Sequence, residues 1–221
     1  MYRPVESKKF PEGNVSYSLC SEPIVEVKDF LYVPHYANLE IEGATDKCFV
    51  RQGVYERLLL AESYLPRGLK FKLYDAWRPF DVQLSLYNEY RNKVAKENPG
   101  ISDEETDSLT MLFVSKPLKD ELLGPVHATG GAIDLTIATE NGLELDMGTP
   151  FDFFGDMANT DYFEKNPVNI AARDNRRMLC HVMSEAGFTN LPTEWWHYDY
   201  GNRFYAYYSG ENAVYGCVFE K

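Results

Sequence analysis

Positive charge, cysteine and histidine are all scarce in this sequence, and each shortage narrows what the chain can be. Lysine and arginine total 22 against 34 acidic residues, a formal net charge of −12. A nucleic-acid binder neutralises phosphates with a clustered basic face, and no Lys/Arg cluster is there to supply one. The same imbalance disfavours docking on anionic lipid. No apolar run approaches the roughly 20 residues of a membrane-spanning helix. The opening stretch, MYRPVESKKF, lacks the apolar core of a signal peptide. The four cysteines, Cys20, Cys48, Cys180 and Cys217, are widely spaced, with no C-x-x-C pair and no metal-finger spacing. Two disulfides are possible on count alone; four thiols in a reducing compartment is the preferred reading. The expectation is a cytoplasmic protein with neither nucleic acid nor membrane as partner and with an unknown oligomeric state.

What is present describes a folded chain. Of 221 residues, 44% are hydrophobic and 14% aromatic, which excludes a disordered polymer and is enough for a substantial core. No internal repeat or low-complexity tract interrupts it, so one domain over residues 1–221 is expected. Short strands are expected at Ile24–Val27 and Asn38–Ile41. Val50, Val54, Leu58 and Leu59 recur at helical spacing before Pro66, giving a helix over Val50–Leu65. Leu69–Trp77 alternates, with Leu69, Phe71, Leu73 and Asp75 on one face, and reads as a half-buried strand. A helix follows over Phe80–Lys96. The acidic run Ser102–Asp107 reads as a solvated helix start.

Thr129–Ile137 reads as a loop entering a strand, and residues 138–167 as one long ordered loop. A further helix spans Asn169–Ala186, with Ile170, Leu179, Val182, Met183 and Ala186 inward and Gly187 ending it. Strands are expected at Glu194–Tyr200, Arg203–Tyr208 and Val214–Phe219. Helices and strands do not alternate regularly, so the expected class is α+β with a mainly antiparallel central sheet flanked by helices.

Two of the four histidines lie in segments suited to a metal. In His127-Ala-Thr-Gly-Gly-Ala-Ile-Asp134, two glycines let the chain fold back, and Asp134 lies between Ile133 and Leu135 in a strand that should be buried. A buried carboxylate needs a cation, donors or a metal. Taken alone, Asp134 also reads as a turn cap and His127 as a surface loop residue. In Glu194-Trp-Trp-His197 the acid and the imidazole are three apart. On a regular strand they point to opposite sides, and Pro192 argues against a helix; a bend near Trp195 would bring both to one pocket. The plainer reading is a sheet-edge cluster with Glu194 exposed.

Together the segments supply His, Asp and His, a three-ligand set typical of catalytic zinc, with a carboxylate beside it for proton transfer. H-E-x-x-H is absent. Arg78, in Tyr74-Asp-Ala-Trp-Arg78-Pro79, ends a strand where it can face an oxyanion or form a structural salt bridge. His35 and His181 match no metal motif, and His181 reads as a structural helix residue.

From about Tyr36 to Asp199 the sequence resembles the VanX-type D-alanyl-D-alanine dipeptidases, within the zinc D-Ala-D-Ala peptidases and their hedgehog-like relatives. The family pattern S-x-H-x-x-G-x-A-x-D followed by E-x-W-H reads here as Pro125-Val-His127-Ala-Thr-Gly130-Gly-Ala132-Ile-Asp134 and Glu194-Trp-Trp196-His197. The segment around Asn175-Arg176-Arg177 and Ala186-Gly187-Phe188 is similar to the family's last helix. The resemblance implies one zinc held by His127, Asp134 and His197, with Glu194 as general base and acid and Arg78 stabilising the tetrahedral intermediate. It implies Tyr36 and Asp152 as holders of the substrate ammonium. The implied reaction is hydrolysis of D-Ala-D-Ala to two D-alanines. The alternatives are a D,D-carboxypeptidase acting on longer peptidoglycan peptides, or a zinc-binding module without catalysis, against which Glu194 and Arg78 argue. One departure stands out: the family's serine is Pro125 here, which offers neither a hydroxyl nor an N–H.

Overall fold

The computed structural model describes residues 2–6, 9, 14–111 and 113–220. The stretch read above for a signal peptide lies partly outside them. The strands are β1 (Ile24–Glu26), β2 (Leu31–Tyr32), β3 (Phe49–Arg51), β4 (Leu69–Asp75), β5 (Ala132–Thr139), β6 (Thr189–Asn190) and β7 (His197–Asp199). The α-helices are α1 (His35–Asn38), α2 (Gln52–Ser63), α3 (Phe80–Glu97), α4 (Asp103–Thr110), α5 (Tyr162–Lys165), α6 (Ile170–Glu185) and α7 (Arg203–Ser209). The class is α+β. Five strands form one sheet in the order β2-β4-β5-β7-β6, and β1 and β3 form an antiparallel pair. The central sheet is mixed: β2 runs parallel to β4, and the other junctions are antiparallel.

β5 is the spine, buried along nearly its whole length between β4 and β7. Its residues Ile133, Leu135 and Ile137 join Val54, Leu58 and Ala61 of α2 and Leu179, Val182 and Met183 of α6 in one hydrophobic core. Period two then puts Asp134 on the opposite face. The register between β4 and β5 slips at this level. Leu73 pairs with Leu135, but Asp75 pairs with Asp134, so the strict alternation that grouped Asp75 with Leu73 fails at a bulge-like irregularity. Asp134 in turn pairs with His197, and Asp75, Asp134 and His197 stand abreast on three neighbouring strands.

Several sequence expectations are corrected. Residues 38–41 form no strand: Asn38 and Leu39 donate backbone bonds to Pro34 and His35, closing α1 instead. Residues Arg203–Tyr208 are helical because Asn202 caps the turn, its side chain accepting from the Tyr205 N–H, and Gly210 ends it at φ 78°. Val214–Phe219 joins no sheet; its amides bond to loop carbonyls, Tyr215 to Gly201, Cys217 to Glu121 and Val218 to Ala128. Ile170 is 48% exposed. It lies nine residues before Leu179, half a turn off that residue's buried stripe. The loop over 138–167 is ordered, with a 3-10 turn at Asp156–Ala158 and α5 inside it. Residues Ser102 and Glu105 close a reciprocal capping box that starts α4.

Candidate metal centre

His127 sits in a buried 3-10 turn, Val126–Thr129, that ends at Gly130 in the left-handed region, φ 71°. Gly131 follows because β5 enters the sheet hard against β7: a Cβ there would meet the Tyr200 carbonyl oxygen at 2.5 Å. The buried Arg51 donates to the carbonyls of Thr129 and Gly216 at 2.8 and 3.0 Å and fixes this corner. At the other segment, the His197 N–H bonds back to the Glu194 carbonyl at 3.3 Å. That three-residue turn, rather than a strand, puts the Glu194 and His197 side chains on one side, with Glu194 Oε2 3.8 Å from His197 Nδ1.

His127, Asp134 and His197 are all buried, and one ligand atom from each lies within 4.8 Å of the others. Both rings are held from outside. His127 Nδ1 donates to the Ala76 carbonyl at 2.7 Å and lies 3.1 Å from Asp75 Oδ2, which leaves Nε2 facing Asp134 at 3.4 Å. His197 Nε2 donates to Asp199 Oδ2 at 3.1 Å, which leaves Nδ1 facing Asp134 Oδ1 at 3.0 Å. Asp199 is itself fully buried and accepts from Asn202 Nδ2 at 2.6 Å. With the His127 Nδ1 proton committed to a carbonyl, its Nε2 turns a lone pair toward Asp134, while His197 lies between two carboxylates that draw a proton, or a cation in its place, to its inner nitrogen. The residues present therefore fit a metal, and outer partners of this kind orient metal-bound histidines.

The charges agree. Burial pushes Asp134 up to about 6, although His197 pulls the other way. Burial opposes charge on His197, but Asp199 and Asp134 outweigh it and hold the imidazolium well above the ordinary range. That is the pull of a site short of positive charge. Burial, with Arg78 and His197 nearby, holds His127 well below the ordinary range, as a neutral ligand requires. Burial lifts Glu194 to about 7, with Asp134 and Asp152 adding to the rise, so its carboxylate is poised for proton exchange near neutrality.

Arg78 is partly buried, three residues past the end of β4. It donates through Nε to Asp75 at 2.9 Å, through Nη1 to Gln83 at 2.6 Å and through Nη2 to the Tyr36 hydroxyl at 3.1 Å, and its guanidinium lies 4.7 Å from the Tyr36 ring centre. Nη1 keeps a hydrogen to offer. Asp152 adopts φ 60°, one of two non-glycine residues described in that region, and burial raises its pKa while Arg78 and His35 lower it. Its loop is gripped by Arg176 of α6, whose buried guanidinium donates to the carbonyls of Met147, Asn159 and Met157 at 2.8, 2.8 and 2.9 Å.

The ligands, Glu194, Arg78, Tyr36 and Asp152 all line one cavity of about 340 Å³, whose outer wall is formed by α3 with Leu39, Ile41, Phe113 and Phe154. His181 is remote, 3.9 Å from Glu185 on the same helix. Asp75, Gln83, Asp199 and Asn202 support the site without having been read from the sequence as site residues. Asp199 carried a signal, two residues past His197 on one strand face. Asp75 carried another, an acid within an apolar stripe.

A buried His–Asp–His cluster with a near-neutral carboxylate at its edge, opening into a peptide-sized cavity, is the site of a hydrolase class. Comparison with known proteins narrows this. The M15 peptidase family model, described as D-Ala-D-Ala dipeptidase, matches residues 40–213, and the chain belongs to that family. A D-alanyl-D-alanine dipeptidase of Escherichia coli (strain K12) is 32% identical over 132 residues, covering 60% of this chain and 55% of that protein. One from Synechocystis is 25% identical over 176 residues, 72% of this chain and 71% of the relative. One from Enterococcus faecium is 29% identical over 157 residues, 66% and 71%. The chain thus spans little more than half of the Escherichia coli relative it matches. The three ligands, Glu194, Arg78 and Asp152 fall inside the family match, and Tyr36 lies just before it.

Proposed function

We propose that this chain is a zinc-dependent D,D-dipeptidase that hydrolyses D-Ala-D-Ala to two D-alanines. The observation that carries the reading is the convergence of His127, Asp134 and His197 ligand atoms within 4.8 Å of one another, with the Glu194 carboxylate 3.8 Å from His197 Nδ1. Zinc bound by His127, Asp134 and His197 would supply Lewis acidity to the scissile carbonyl and to the attacking water. Glu194 takes the proton of that water and returns it to the leaving amine, a transfer for which a pKa near 7 is well placed. Arg78, immobilised by Asp75, Gln83 and Tyr36, directs its remaining Nη1 hydrogen at the charge that develops on the carbonyl oxygen. Asp152 pairs with the substrate ammonium, with the Tyr36 hydroxyl alongside. We place the enzyme in the cytoplasm, without nucleic-acid or membrane partners; among the described residues no helix is long and apolar enough to cross a membrane.

One observation favours a second reading. The cavity runs beyond the ligands along an apolar wall of Leu39, Ile41, Leu86, Tyr90, Phe113 and Phe154, which offers room for more than two alanines. That would suit a D,D-carboxypeptidase acting on longer peptides. Substrate length separates the two. A dipeptidase cleaves free D-Ala-D-Ala and rejects an N-acetylated tripeptide, because the longer chain sets an uncharged amide against Asp152 and leaves that partly buried carboxylate without a cation. Efficient release of terminal D-Ala from the N-acetylated tripeptide would establish the carboxypeptidase instead.

A further inference from the structure

We propose that Arg203 anchors the free C-terminal carboxylate of the substrate and thereby sets the requirement for an unblocked C-terminus. The inference rests on the peptidase reading of the same cavity, in either of its two forms. A peptide with a free C-terminus brings a negative charge into a cavity lined by Asp134, Asp152 and Glu194, with Asp75 just behind Arg78. Repulsion from those acids must be offset by a cation in contact with the carboxylate.

Three cationic side chains line the cavity: Arg78, Lys93 and Arg203. Arg78 is committed to Asp75, Gln83 and Tyr36. Lys93 is exposed on α3, 5.8 Å from the Tyr90 ring centre at the apolar arm. Arg203 is partly buried, and among the described residues it has no carboxylate within ion-pair distance. Asp120 is near enough to feel its charge, but the Asp120 carboxylate already accepts the N–H groups of Leu122 and Leu123, both at 2.8 Å.

Arg203 is nonetheless held in place. Its Nη1 donates to the Gly124 carbonyl, and its guanidinium lies 5.2 Å from the Phe204 ring centre. Gly124 is followed directly by Pro125 and the turn that carries His127. The turn that carries Arg203 is the one in which Asn202 holds Asp199 against His197. Both metal-ligand segments therefore fix the guanidinium on the wall beside them. Pro125 leaves that wall without a hydroxyl or an N–H of its own. The Nε and Nη2 hydrogens of Arg203 supply the planar fork that pairs with a carboxylate through two parallel bonds.

The test compares D-Ala-D-Ala with its C-terminal amide on the zinc-loaded enzyme. Arg203→Gln retains a donor for the Gly124 carbonyl and removes the charge. It is expected to raise KM for the free acid about 10- to 100-fold, the range for a hydrogen bond to a charged group. It should change kcat little and leave the amide unaffected, so that preference for the acid collapses; Arg203→Lys should restore part of it. Calorimetric titration of D-Ala-D-Ala into Glu194→Gln, with and without Arg203→Gln, reads the anchor without turnover. Weaker binding in the double variant supports the anchor even if the wild-type chain hydrolyses no dipeptide, an outcome that would sink the peptidase reading alone. Equal binding in the two proteins, an equal loss for acid and amide, or transfer of the KM effect to Lys93→Ala would each overturn it.

Discussion

At the scale of single residues, the site depends on which atom of each ring carries the proton. Asp199 is wholly buried yet makes no contact with the cavity; its work is to hold His197 Nε2–H, and Asn202 holds Asp199 in turn. Asp199→Ala should weaken zinc binding about 10- to 100-fold, the usual effect of losing such an orienting partner, as measured by competition with a chelator of known affinity. Wild-type affinity would mean that the ring is oriented by packing alone. Glu194 stands in the opposite position, beside the ligands and not among them. Glu194→Gln should retain full zinc while kcat falls about 10²- to 10⁴-fold, the range for a general acid–base group. A variant with wild-type rate would show that another group handles the proton.

Among the elements, α6 does more than cover the sheet. Its Arg176 gathers three carbonyls from the loop that carries Asp152, and its Arg177 pairs with Glu164 of α5 through bonds of 2.6 and 2.5 Å, while Glu164 also accepts the Val5 N–H at 3.0 Å. The Arg177 guanidinium holds the Glu164 carboxyl below its ordinary range, with the Val5 N–H adding to this. A depressed carboxylate contributes stability above its unfolded pKa and loses it as pH falls through the folded one. Glu164→Gln should therefore cost about 1 kcal/mol at pH 7, given partial screening. The gap to wild type should close at an acidic pH low enough to protonate the native carboxylate too. Urea titrations at both pH values measure it; a gap that persists in acid would mean that Glu164 acts by packing rather than charge.

For the molecule as a whole, the three ligands come from a turn before β5, from β5 itself and from β7, so a bound ion ties together segments up to 70 residues apart in sequence (197 − 127). Ligand that binds only the native state stabilises it by about 4 kcal/mol at a thousandfold excess over its Kd. Removal of zinc by a chelator should abolish dipeptide turnover and lower Tm, and stoichiometric zinc should restore both. Unchanged activity in verified metal-free protein would exclude the metal-dependent reading.

The sequence by itself determined the long elements, because they are written in local periodicity: β4 by its alternation, α3 and α6 by their four-residue spacing. It also pointed to His127, Asp134, Glu194 and His197, through the joint occurrence of their two segments and the family pattern they resemble, but not to Asp75, Gln83, Asp199 and Asn202 behind them. Short elements escaped it. Arg203–Tyr208 is rich in aromatics, which favour strands, and Asn202 and Gly210 at its ends mark it as a helix. How the site residues face one another was decided by tertiary structure. A register slip between β4 and β5 sets Asp75 beside Asp134, a turn between Glu194 and His197 puts both on one side, and Arg203 reaches the wall before His127 from a turn 79 residues away. The reason is physical: spacing encodes the period of a segment, whereas bulges, turns and long-range hydrogen bonds set the direction in which each side chain finally points.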